Sequence, residues 1–467
     1  MKTTYDILII GSGPGGYRAA ILAALQNKKV AIIEKDQWGG CCLNRGCVPK
    51  KAWHNTAKIL QKNSKLAEIG VLGNLSPDFS AAWQHQKKTV QTVQSNYIKY
   101  LKQLGVDFFH ATAKILNKNE VLTQYIGQND EILRSTNIII ATGSSPHIPD
   151  LFNINSSRTL TTDQLFDSTP LAGEDVAVIG SGVIATEFAF ILAMLGKNVH
   201  WHSRSPMLSH NHFSEQAKTL LDQAFNELSI KNNTKLPSNV SEANNKITLH
   251  FDGGESKQVD WLLLATGRRP NTENLGLENT CITLNTDGFI ETNNNSQTAE
   301  HSIYAIGDVC SPMMTANQAI ADANASINHI IGNQYEPLEK ENIPQAIYSA
   351  LEIAKIGLSE QQAEDKDLEP AVGFSSFESS PAALGQNASE GYVRMIADMD
   401  SGDFLGGEIV GENAAELIHI LSSNMKSERN LKIFSDLIVN HPSRAEEILN
   451  ATETLANKWG LGDFVFS

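Results

Sequence analysis

Residues 7–16, Ile-Leu-Ile-Ile-Gly-Ser-Gly-Pro-Gly-Gly, place an apolar segment directly before a glycine-rich turn. The apolar run 19–25 that follows is typical of a helix. In a G-x-G-x-x-G turn, Gly11 would allow the tight turn, Gly13 the close approach of backbone to a pyrophosphate, and Gly16 the packing of the helix. The N-terminus of such a helix stabilises phosphate charge. The stretch therefore predicts the strand, loop and helix of a dinucleotide-binding α/β domain.

The same pattern occurs twice in the chain. Residues 176–179 form a second apolar segment, which is followed by the glycine loop 180–185 and another helical run. Each copy has a further apolar strand downstream that ends in Ala-Thr-Gly, at 141–143 in the first copy and at 265–267 in the second. A repeated supersecondary unit indicates a repeated domain. Two dinucleotide-binding domains are therefore expected.

The two copies differ in the residue that follows their second strand. In the first copy the strand 30–33 ends at Glu34, whose carboxylate can bind ribose hydroxyls. In the second copy the strand 199–202 ends in Ser203 and Arg204, with no acid. A carboxylate would repel a 2′-phosphate, whereas an arginine pairs with it. The second site therefore favours NADPH over NADH, unless Arg204 is only a solvated surface charge.

Residues 39–51, Gly-Gly-Cys-Cys-Leu-Asn-Arg-Gly-Cys-Val-Pro-Lys-Lys, hold three of the five cysteines. So few cysteines exclude a disulfide framework and indicate that the close cluster serves chemistry. On a regular helix Cys42 and Cys47 would be about 7.5 Å apart in rise, so a disulfide between them demands a distorted turn. Gly46 and Pro49 permit that distortion. Structural zinc is the competing interpretation, but the segment lacks a C-x-x-C pair.

The remaining elements fall into two groups. The longer first half contains an amphipathic helix at 90–104, and a third apolar strand at 303–306 ends in Gly307-Asp308, before a helix from about Thr315. From about residue 343 short strands and helices are typical of an α+β end domain. These are strands at 346–348, 392–396 and 404–410, and helices at 414–421 and 445–458.

Composition limits the kinds of partner that the protein binds. The 467 residues are 41% hydrophobic and 19% charged, which suits about three or four domains. The formal net charge of −15 argues against nucleic acid and anionic membranes as partners. The sequence has no run of about eighteen apolar residues and no charged-then-apolar leader. A cytoplasmic protein that acts on a small molecule or a protein partner is expected.

The chain resembles the class I pyridine nucleotide-disulphide oxidoreductases, the family of dihydrolipoamide dehydrogenase, glutathione reductase and mercuric reductase. The resemblance covers essentially the whole length. It rests on both glycine loops, the Cys-x4-Cys segment, the Ala-Thr-Gly turns, Ile-Tyr-Ala-Ile-Gly-Asp at 303–308 and His-Pro-x-x-x-Glu at 441–446, in this order. It implies an FAD on the first domain, with the ribityl chain held by Asp308. It also implies a homodimer in which each end domain completes the partner's active site.

The implied fold is α/β, with two Rossmann-like, three-layer domains that bind FAD and NAD(P), plus a C-terminal α+β dimerisation domain. The expected segments are 1–149 and 271–338 for the FAD-binding domain, 150–270 for the NAD(P)-binding domain and 339–467 for the dimerisation domain.

The resemblance also assigns roles to the redox residues. Cys47 would face the flavin, and Cys42 would be the interchange thiol that attacks substrate as a thiolate. His441 would be the acid–base residue, contributed by the other subunit, with Glu446 orienting its second nitrogen. Cys41 is interpreted as a small packed residue that could also exchange with Cys42.

Lys51 and Glu187 would form an ion pair beside the reactive nitrogen of the flavin, where positive charge stabilises the reduced flavin anion. No metal site is expected. The candidate cofactor-binding residues belong to the glycine loops, the strand ends, the Ala-Thr-Gly turns and the redox segment: Gly11, Gly13, Gly16, Glu34, Gly40, Lys51, Thr142, Gly143, Asp308, Gly180, Gly182, Ala185, Ser203, Arg204 and Gly267.

Different segments resemble different members of the family. Residues 48–51, Ala185 and Arg204 resemble glutathione reductase. However, Ile21 and Leu22 stand where those enzymes carry arginines for the glutathione carboxylate. The first glycine loop and the long C-terminal tail resemble dihydrolipoamide dehydrogenase, although Val439 replaces the first histidine of its usual His-x-His-Pro.

The sequence therefore predicts an FAD-dependent NAD(P)H:disulfide oxidoreductase, most similar to dihydrolipoamide dehydrogenase, that acts on a small-molecule or protein-bound dithiol or disulfide. One alternative is an NADPH-dependent reductase of a low-molecular-weight disulfide of the glutathione type. Another is a flavin-bearing redox sensor or complex subunit that does not turn over. The intact His441–Glu446 element argues against the sensor, which needs no proton-relay base.

Overall fold

The computed structural model describes residues 4–127, 129–152, 154, 156–167, 172–425 and 429–466. The strands are β1 Thr4–Ile10, β2 Val30–Glu34, β3 Asp107–His110, β4 Thr112–Asn117, β5 Glu120–Gln124, β6 Glu131–Ile140, β7 Ser144–Pro146, β8 Thr159–Thr161, β9 Asp175–Ile179, β10 Asn198–His202, β11 Asn232–Asn233, β12 Asn239–Ala243, β13 Lys246–His250, β14 Ser256–Val259, β15 Trp261–Leu264, β16 Arg268–Pro270, β17 Ile303–Ala305, β18 Gln345–Tyr348, β19 Glu352–Gly357, β20 Pro370–Ser376, β21 Tyr392–Asp398 and β22 Phe404–Val410. The helices are α1 Pro14–Leu25, α2 Gly40–Arg45, α3 Cys47–Gln61, α4 Phe79–Gln103, α5 Thr162–Asp167, α6 Val183–Met194, α7 Glu215–Glu227, α8 Ala316–Ile331, α9 Glu360–Glu364, α10 Pro381–Gly385, α11 Ala414–Asn424, α12 Lys432–Ser435, α13 Glu446–Trp459 and α14 Gly462–Phe466.

The chain forms two compact units, each assembled from separate stretches of sequence. Unit 1 consists of Met1–Trp53, Ser80–Leu171 and Thr266–Pro337. Unit 2 consists of His54–Phe79, Ala172–Ala265 and Leu338–Ser467. The first glycine loop and the cysteine cluster lie in unit 1, and the second glycine loop and the His-Pro-x-x-x-Glu element lie in unit 2.

A parallel sheet with the order β3-β2-β1-β6-β17 forms the centre of unit 1. Ile7 and Ile9 on β1 face the side where α1 and α8 pack, and Leu8 and Ile10 face the other side. This alternation follows from the pleat, which points successive side chains to opposite faces. The first part of β6 pairs antiparallel with β5, which continues to β4.

Two glycines of the first loop are required by backbone contacts. Gly11 has a φ of +105°, and a Cβ there would lie 2.3 Å from the carbonyl oxygen of Ala141. A Cβ at Gly16 would lie 2.0 Å from the carbonyl oxygen of Gly11. A larger residue at Gly16 would therefore push α1 away from the loop, and one at Gly11 would strain the turn and clash with the end of β6.

Unit 2 contains a second parallel sheet in which β11, β10, β9 and β15 lie side by side. Helix α6, which follows the second glycine loop, is apolar around most of its circumference and has eight buried residues out of twelve. The polar segment between α7 and β15 forms an antiparallel meander, β12-β13-β14. Its strands bury alternate residues such as Val240, Ile247 and Leu249.

The end domain in unit 2 is an antiparallel sheet with the order β18-β19-β22-β21-β20. Helix α11 packs on β19 and β22, and α13 packs on β20 and β21. The approach of α13 is close, since a Cβ at Gly373 would lie 2.1 Å from the carbonyl oxygen of Ala451. Sequence patterns predicted β18, β21, β22, α11 and α13, and they missed β19 and β20.

The predicted fold class is confirmed: two Rossmann-like α/β parts and a C-terminal α+β domain. The four segment boundaries stay predictions. Among the described residues, every helix is too short or too polar to cross a membrane.

Candidate active site

The redox cysteines lie on either side of a break between two helices. Helix α2 ends at Arg45, Gly46 adopts φ −133° and ψ −109°, and α3 begins at Cys47. Cys42 and Cys47 form a disulfide, with their Cα atoms 4.8 Å apart. The predicted distorted turn is therefore confirmed. A regular helix would have carried these two Cα atoms beyond disulfide range.

Two side-chain amides, those of Asn44 and Gln94, hold the redox turn in place. Asn44, which lies between the two cysteines and is 4% exposed, donates from Nδ2 to the carbonyls of Trp38 and Gly40 at 3.1 and 2.8 Å. Gln94 on α4 donates to Oδ1 of Asn44 at 2.9 Å and to the carbonyl of Trp38 at 3.0 Å. Sequence analysis missed Gln94, because a lone polar residue on an amphipathic helix carries no local signal of such a contact.

The third thiol of the cluster is shielded. Arg268 donates from Nη2 to Sγ of Cys41 at 3.5 Å, and Oδ1 of Asp163 lies 3.7 Å from the same sulfur. Burial raises the pKa of Cys41 to about 11, although the charge of Arg268 acts in the opposite direction. Cys41 is therefore a protonated thiol near neutral pH and a poor nucleophile for exchange with Cys42. Its interpretation as a packed residue agrees with this setting.

The first glycine loop offers bare backbone to an anion. Gly13, which has no side chain to cap the helix, is the N-cap of α1, and a Cβ there would meet no atom of the described residues within 4 Å. The carboxylate of Glu34 lies next to the loop, where it accepts hydrogen bonds from the N–H and Oγ of Ser12 at 2.9 and 2.7 Å. Gly40 touches the loop, since a Cβ there would lie 2.7 Å from Cα of Gly13. These features fit a dinucleotide whose pyrophosphate meets the helix N-terminus.

Asp308 is held by a short chain of donors in unit 1. Oγ of Ser144 donates to its carboxylate at 2.6 Å, and Nε of Arg268 donates to the same Ser144 oxygen at 2.7 Å. Thr142 donates to the carbonyl of Asn271 at 2.8 Å. The neighbouring Gly143 has a φ of +68° and leaves its backbone open. A carboxylate oriented in this way can accept a hydrogen bond from a ligand hydroxyl.

The second glycine loop repeats this geometry in unit 2. Gly182 is the N-cap of α6, and a Cβ there would meet no atom of the described part of the chain within 4 Å. Gly180 has a φ of +139° and packs against the carbonyl of Ala265, and Ala185 is fully buried. Gly267, in unit 1, has a φ of +105° and an open backbone.

The strand end beside the second loop carries an exposed cation. Arg204 is exposed, whereas Ser203 is 1% exposed and donates its hydroxyl to the carbonyl of Ser205 at 2.6 Å. Oγ of Ser205 lies 3.0 Å from Oγ of Ser181 in the glycine loop and 3.4 Å from Nε2 of His210. The hydroxyl of Ser205 therefore links this strand end to the glycine loop, and Ser203 is turned inward.

Side chains in the second half of α3 form hydrogen bonds with the segment that follows β18. His54, Lys58 and Gln61, at helical spacing, donate to the backbone carbonyls of Ser349 and Ala350 at 3.0 to 3.1 Å. Burial lowers the pKa of Lys58. These three residues were not predicted from the sequence.

Glu187, the predicted Lys51 and the neighbouring Lys50 differ in burial. Glu187 on α6 is 5% exposed and accepts the N–H of Tyr348 at 2.9 Å. On α3, Lys50 is 9% exposed, whereas Lys51 faces outward.

His441 and Glu446 form a pair at the start of α13. Nδ1 of His441 lies 2.7 Å from Oε1 of Glu446, and the N–H of Ser443 donates to Oε2 at 2.8 Å. The hydrogen bond from His441, aided by that from Ser443, lowers the pKa of Glu446. An ionised carboxylate only accepts hydrogen bonds, so Nδ1 carries the proton and Nε2 is available for proton transfer. The side chain of His441 is 73% exposed.

Comparison with known proteins agrees with this geometry. Residues 5–323 match the family described as pyridine nucleotide-disulphide oxidoreductase, and residues 343–452 match its dimerisation domain. The chain belongs to the pyridine nucleotide-disulphide oxidoreductase family. The oxidoreductase is 29% identical to dihydrolipoyl dehydrogenase 3 of Haloarcula marismortui, with 98% of each chain covered. It is 30% identical to glutathione reductase of Burkholderia cepacia, with 98% of this chain and 99% of that protein covered.

Solved structures give the same fold for the oxidoreductase. LpdA from Mycobacterium tuberculosis superposes with a TM-score of 0.89 at 22% identity, covering 97% of this chain and 99% of that one. RclA from Escherichia coli, a flavoprotein disulfide reductase, superposes with a TM-score of 0.84 at 22% identity, covering 96% and 99%. Family membership confirms that the oxidoreductase is a flavin-dependent enzyme with an FAD cofactor.

Proposed function

We propose that the enzyme moves electrons between NADPH and a lipoyl-type dithiol or disulfide through Cys42 and Cys47. The observation that carries this proposal is the disulfide across the break between α2 and α3. A disulfide at a helix break beside a dinucleotide loop suits exchange, because neither Cys42 nor Cys47 is buried and both sulfurs are open to reaction.

The FAD would be held by the first glycine loop and by side chains of unit 1. The N-terminus of α1 would bind the pyrophosphate, Glu34 the ribose and Asp308 the ribityl chain. Gly40, Thr142 and Gly143 would line the cofactor site. A flavin held there would supply two-electron chemistry between a nicotinamide hydride and the Cys42–Cys47 disulfide.

Two thiol–disulfide exchanges would complete the reduction. The electron pair breaks the bond between Cys42 and Cys47, and the Cys42 thiolate then attacks a substrate disulfide, forming a mixed disulfide and releasing one substrate thiolate. Nε2 of His441, which takes up a proton from solvent when the pair is reduced, gives that proton to the leaving sulfur. The Cys47 thiolate then attacks Cys42, which restores the disulfide and releases the second substrate sulfur as a thiolate that takes its proton from solvent. Oxidation of a dithiol runs these steps in reverse, with His441 accepting the proton.

The lysine beside the flavin has two candidates. Lys51 is the residue that the family resemblance assigns, with Glu187 as its partner. The lower exposure of Lys50 supports Lys50 as a second candidate, since a side chain that stabilises a reduced flavin acts most strongly away from water.

A homodimer is part of the proposal. The match of residues 343–452 to a dimerisation domain supports it. His441 and Glu446 would then act on the redox pair of the partner subunit.

NADPH is the proposed nicotinamide. The exposed Arg204, two residues after the end of β10, and the absence of an acid at this strand end support this. Ser203 contributes little, because its hydroxyl is already bonded internally.

Arg204→Leu is expected to lower kcat/KM for NADPH by about ten- to a hundredfold, the loss of one charge-assisted contact to the 2′-phosphate. The same change should leave kcat/KM for NADH within about twofold. Steady-state kinetics with both cofactors measure the effect, and Lys257→Met on β14 is the charge-matched control. An equal loss with both cofactors would count against the 2′-phosphate assignment.

The proposal of a lipoyl-type substrate is supported by the names of the relatives and by the residue at position 21. Several relatives are named dihydrolipoyl dehydrogenase. In addition, position 21 is an isoleucine on α1 that is 7% exposed and packs in the core. An apolar residue here cannot bind the glutathione carboxylate, as an arginine would. A glutathione-type disulfide is the second candidate, favoured by Arg204 and by the glutathione reductase relative.

Rapid-mixing kinetics distinguish the two candidate substrates by the rate at which each reoxidises the reduced enzyme. The holoenzyme reduced with NADPH should be reoxidised at least about tenfold faster by lipoamide than by glutathione disulfide, with mercuric ion as a third arm. A parallel arm with NADH tests the cofactor proposal. Faster reoxidation by glutathione disulfide would replace the lipoyl proposal with the second candidate.

A further inference from the structure

A double ion pair fixes one residue inside the redox turn. Nη1 of Arg45 lies 2.6 Å from Oδ2 of Asp36, and Nε lies 2.6 Å from Oδ2 of Asp167. Arg45 is 19% exposed, and the carboxylates are 48% and 38% exposed. Burial opposes the charge of Arg45, but the two carboxylates more than offset this, and its pKa is raised. Arg45 therefore remains a cation whose field is largely balanced by Asp36 and Asp167.

The position of Arg45 brings that charge next to the thiols. Cys42 and Arg45 are three residues apart on α2, a spacing that places their side chains on the same helix face. Arg45 also acts weakly on the neighbouring thiol: burial raises the pKa of Cys41, Arg268 lowers it, Asp163 and Asp308 raise it, and the charge of Arg45 lowers it by the smallest amount. The relation of Arg45 to the disulfide is therefore its place on the face of α2 that carries Cys42.

We infer that the Asp36–Arg45–Asp167 triad sets the reduction potential of the Cys42–Cys47 pair. Reduction turns a neutral disulfide into sulfurs with thiolate character, so a nearby cation stabilises the reduced form and a nearby anion destabilises it. Arg45 favours reduction, and its two carboxylates restrain it. This inference rests on the proposed redox role of Cys42 and Cys47.

Opposite substitutions in the triad should shift the potential in opposite directions. Arg45→Met removes the cation and leaves two uncompensated carboxylates, so the equilibrium constant for reduction should fall about tenfold, which is about 30 mV toward negative potential. Asp36→Asn leaves Arg45 less neutralised, so the constant should rise about threefold. Asp36 is the better choice than Asp167, which also accepts a hydrogen bond from Gln37. Arg45→Lys keeps the charge but loses the planar fork that reaches both carboxylates, so its midpoint should shift less than that of Arg45→Met.

The measurement uses the holoenzyme in dithiothreitol redox buffers of stepped ratio. Reduction of the pair takes two electrons from the buffer dithiol, which closes to its cyclic disulfide. After acid quenching, maleimide labelling and intact mass spectrometry count the two thiols gained. Arg134→Met, which breaks the Arg134–Glu120 ion pair on β6, is the charge-matched control and should not shift the midpoint.

The outcomes test separately the redox role of the Cys42–Cys47 pair and the electrostatic role of the triad. If the unsubstituted protein gains no thiols at any buffer ratio, the redox role falls and the inference falls with it. If the pair titrates but Arg45→Met and Asp36→Asn shift the midpoint in the same direction, or not at all, the redox role stands and the triad has no electrostatic role. A general loosening of the turn would move both variants the same way, so the reversal of sign is the decisive readout.

Discussion

Cys47→Ser is expected to abolish turnover with disulfide substrates, by about 10⁴-fold or more, while NADPH still bleaches the flavin absorbance. The Cys42–Cys47 disulfide is the proposed route between the cofactors and the substrate, and serine cannot form it. Residues that act as a unit lose nearly all of their effect when one is removed. Steady-state turnover and anaerobic flavin reduction measure the two halves separately.

The two cysteines should fail in different ways. With Cys47 replaced, Cys42 can still attack a disulfide but no second thiol resolves the product, so a stable mixed disulfide should appear in the intact mass. With Cys42 replaced, Cys47 should not accumulate one. Cys281→Ser is the control, because that free thiol is exposed and lies outside the redox turn. Substantial turnover by either active-site variant would mean that electrons reach substrate by another route.

Local sequence patterns were sufficient to predict a residue's structural role where that role depends on its neighbours along the chain. Gly11 and Gly16 were predicted because a tight turn and a close helix contact both lie within one strand–loop–helix unit, and the structure shows the backbone contacts that require them. Thr315 was placed near the start of a helix, and it caps α8 through its side chain. The break at Gly46 followed from the geometry of a disulfide across five residues.

Residues whose partners are distant in sequence could not be predicted in this way. Gln94 contacts Asn44 across 50 residues, Arg45 contacts Asp167 across 122, and Arg268 contacts Cys41 across 227. Periodicity describes one element at a time, so it says nothing about which polar side chains meet. Strand β19 was missed for a related reason: five of its six residues are buried, so the alternation that marks a half-exposed strand is absent.

His441→Gln is expected to lower turnover by about 10²- to 10⁴-fold, the usual contribution of a general acid–base residue, without affecting flavin binding or formation of the Cys42–Cys47 disulfide. Glutamine keeps a polar side chain of similar reach but cannot take up and return a proton. Steady-state turnover, together with the flavin spectrum and a thiol count on the purified protein, separates loss of proton transfer from loss of the fold.

Glu446→Gln is the informative companion to that variant. The ionised Glu446 holds the proton on Nδ1 of His441 through a 2.7 Å hydrogen bond, so the neutral amide should weaken this preference and reduce turnover less than loss of the imidazole itself. If both residues belong to one proton-transfer unit, the double variant should be no slower than His441→Gln alone, because an orienting group has no effect once its base is absent. Turnover by His441→Gln at the unsubstituted rate would remove histidine from the mechanism. Additive losses in the double variant would instead assign Glu446 a role of its own, independent of the imidazole.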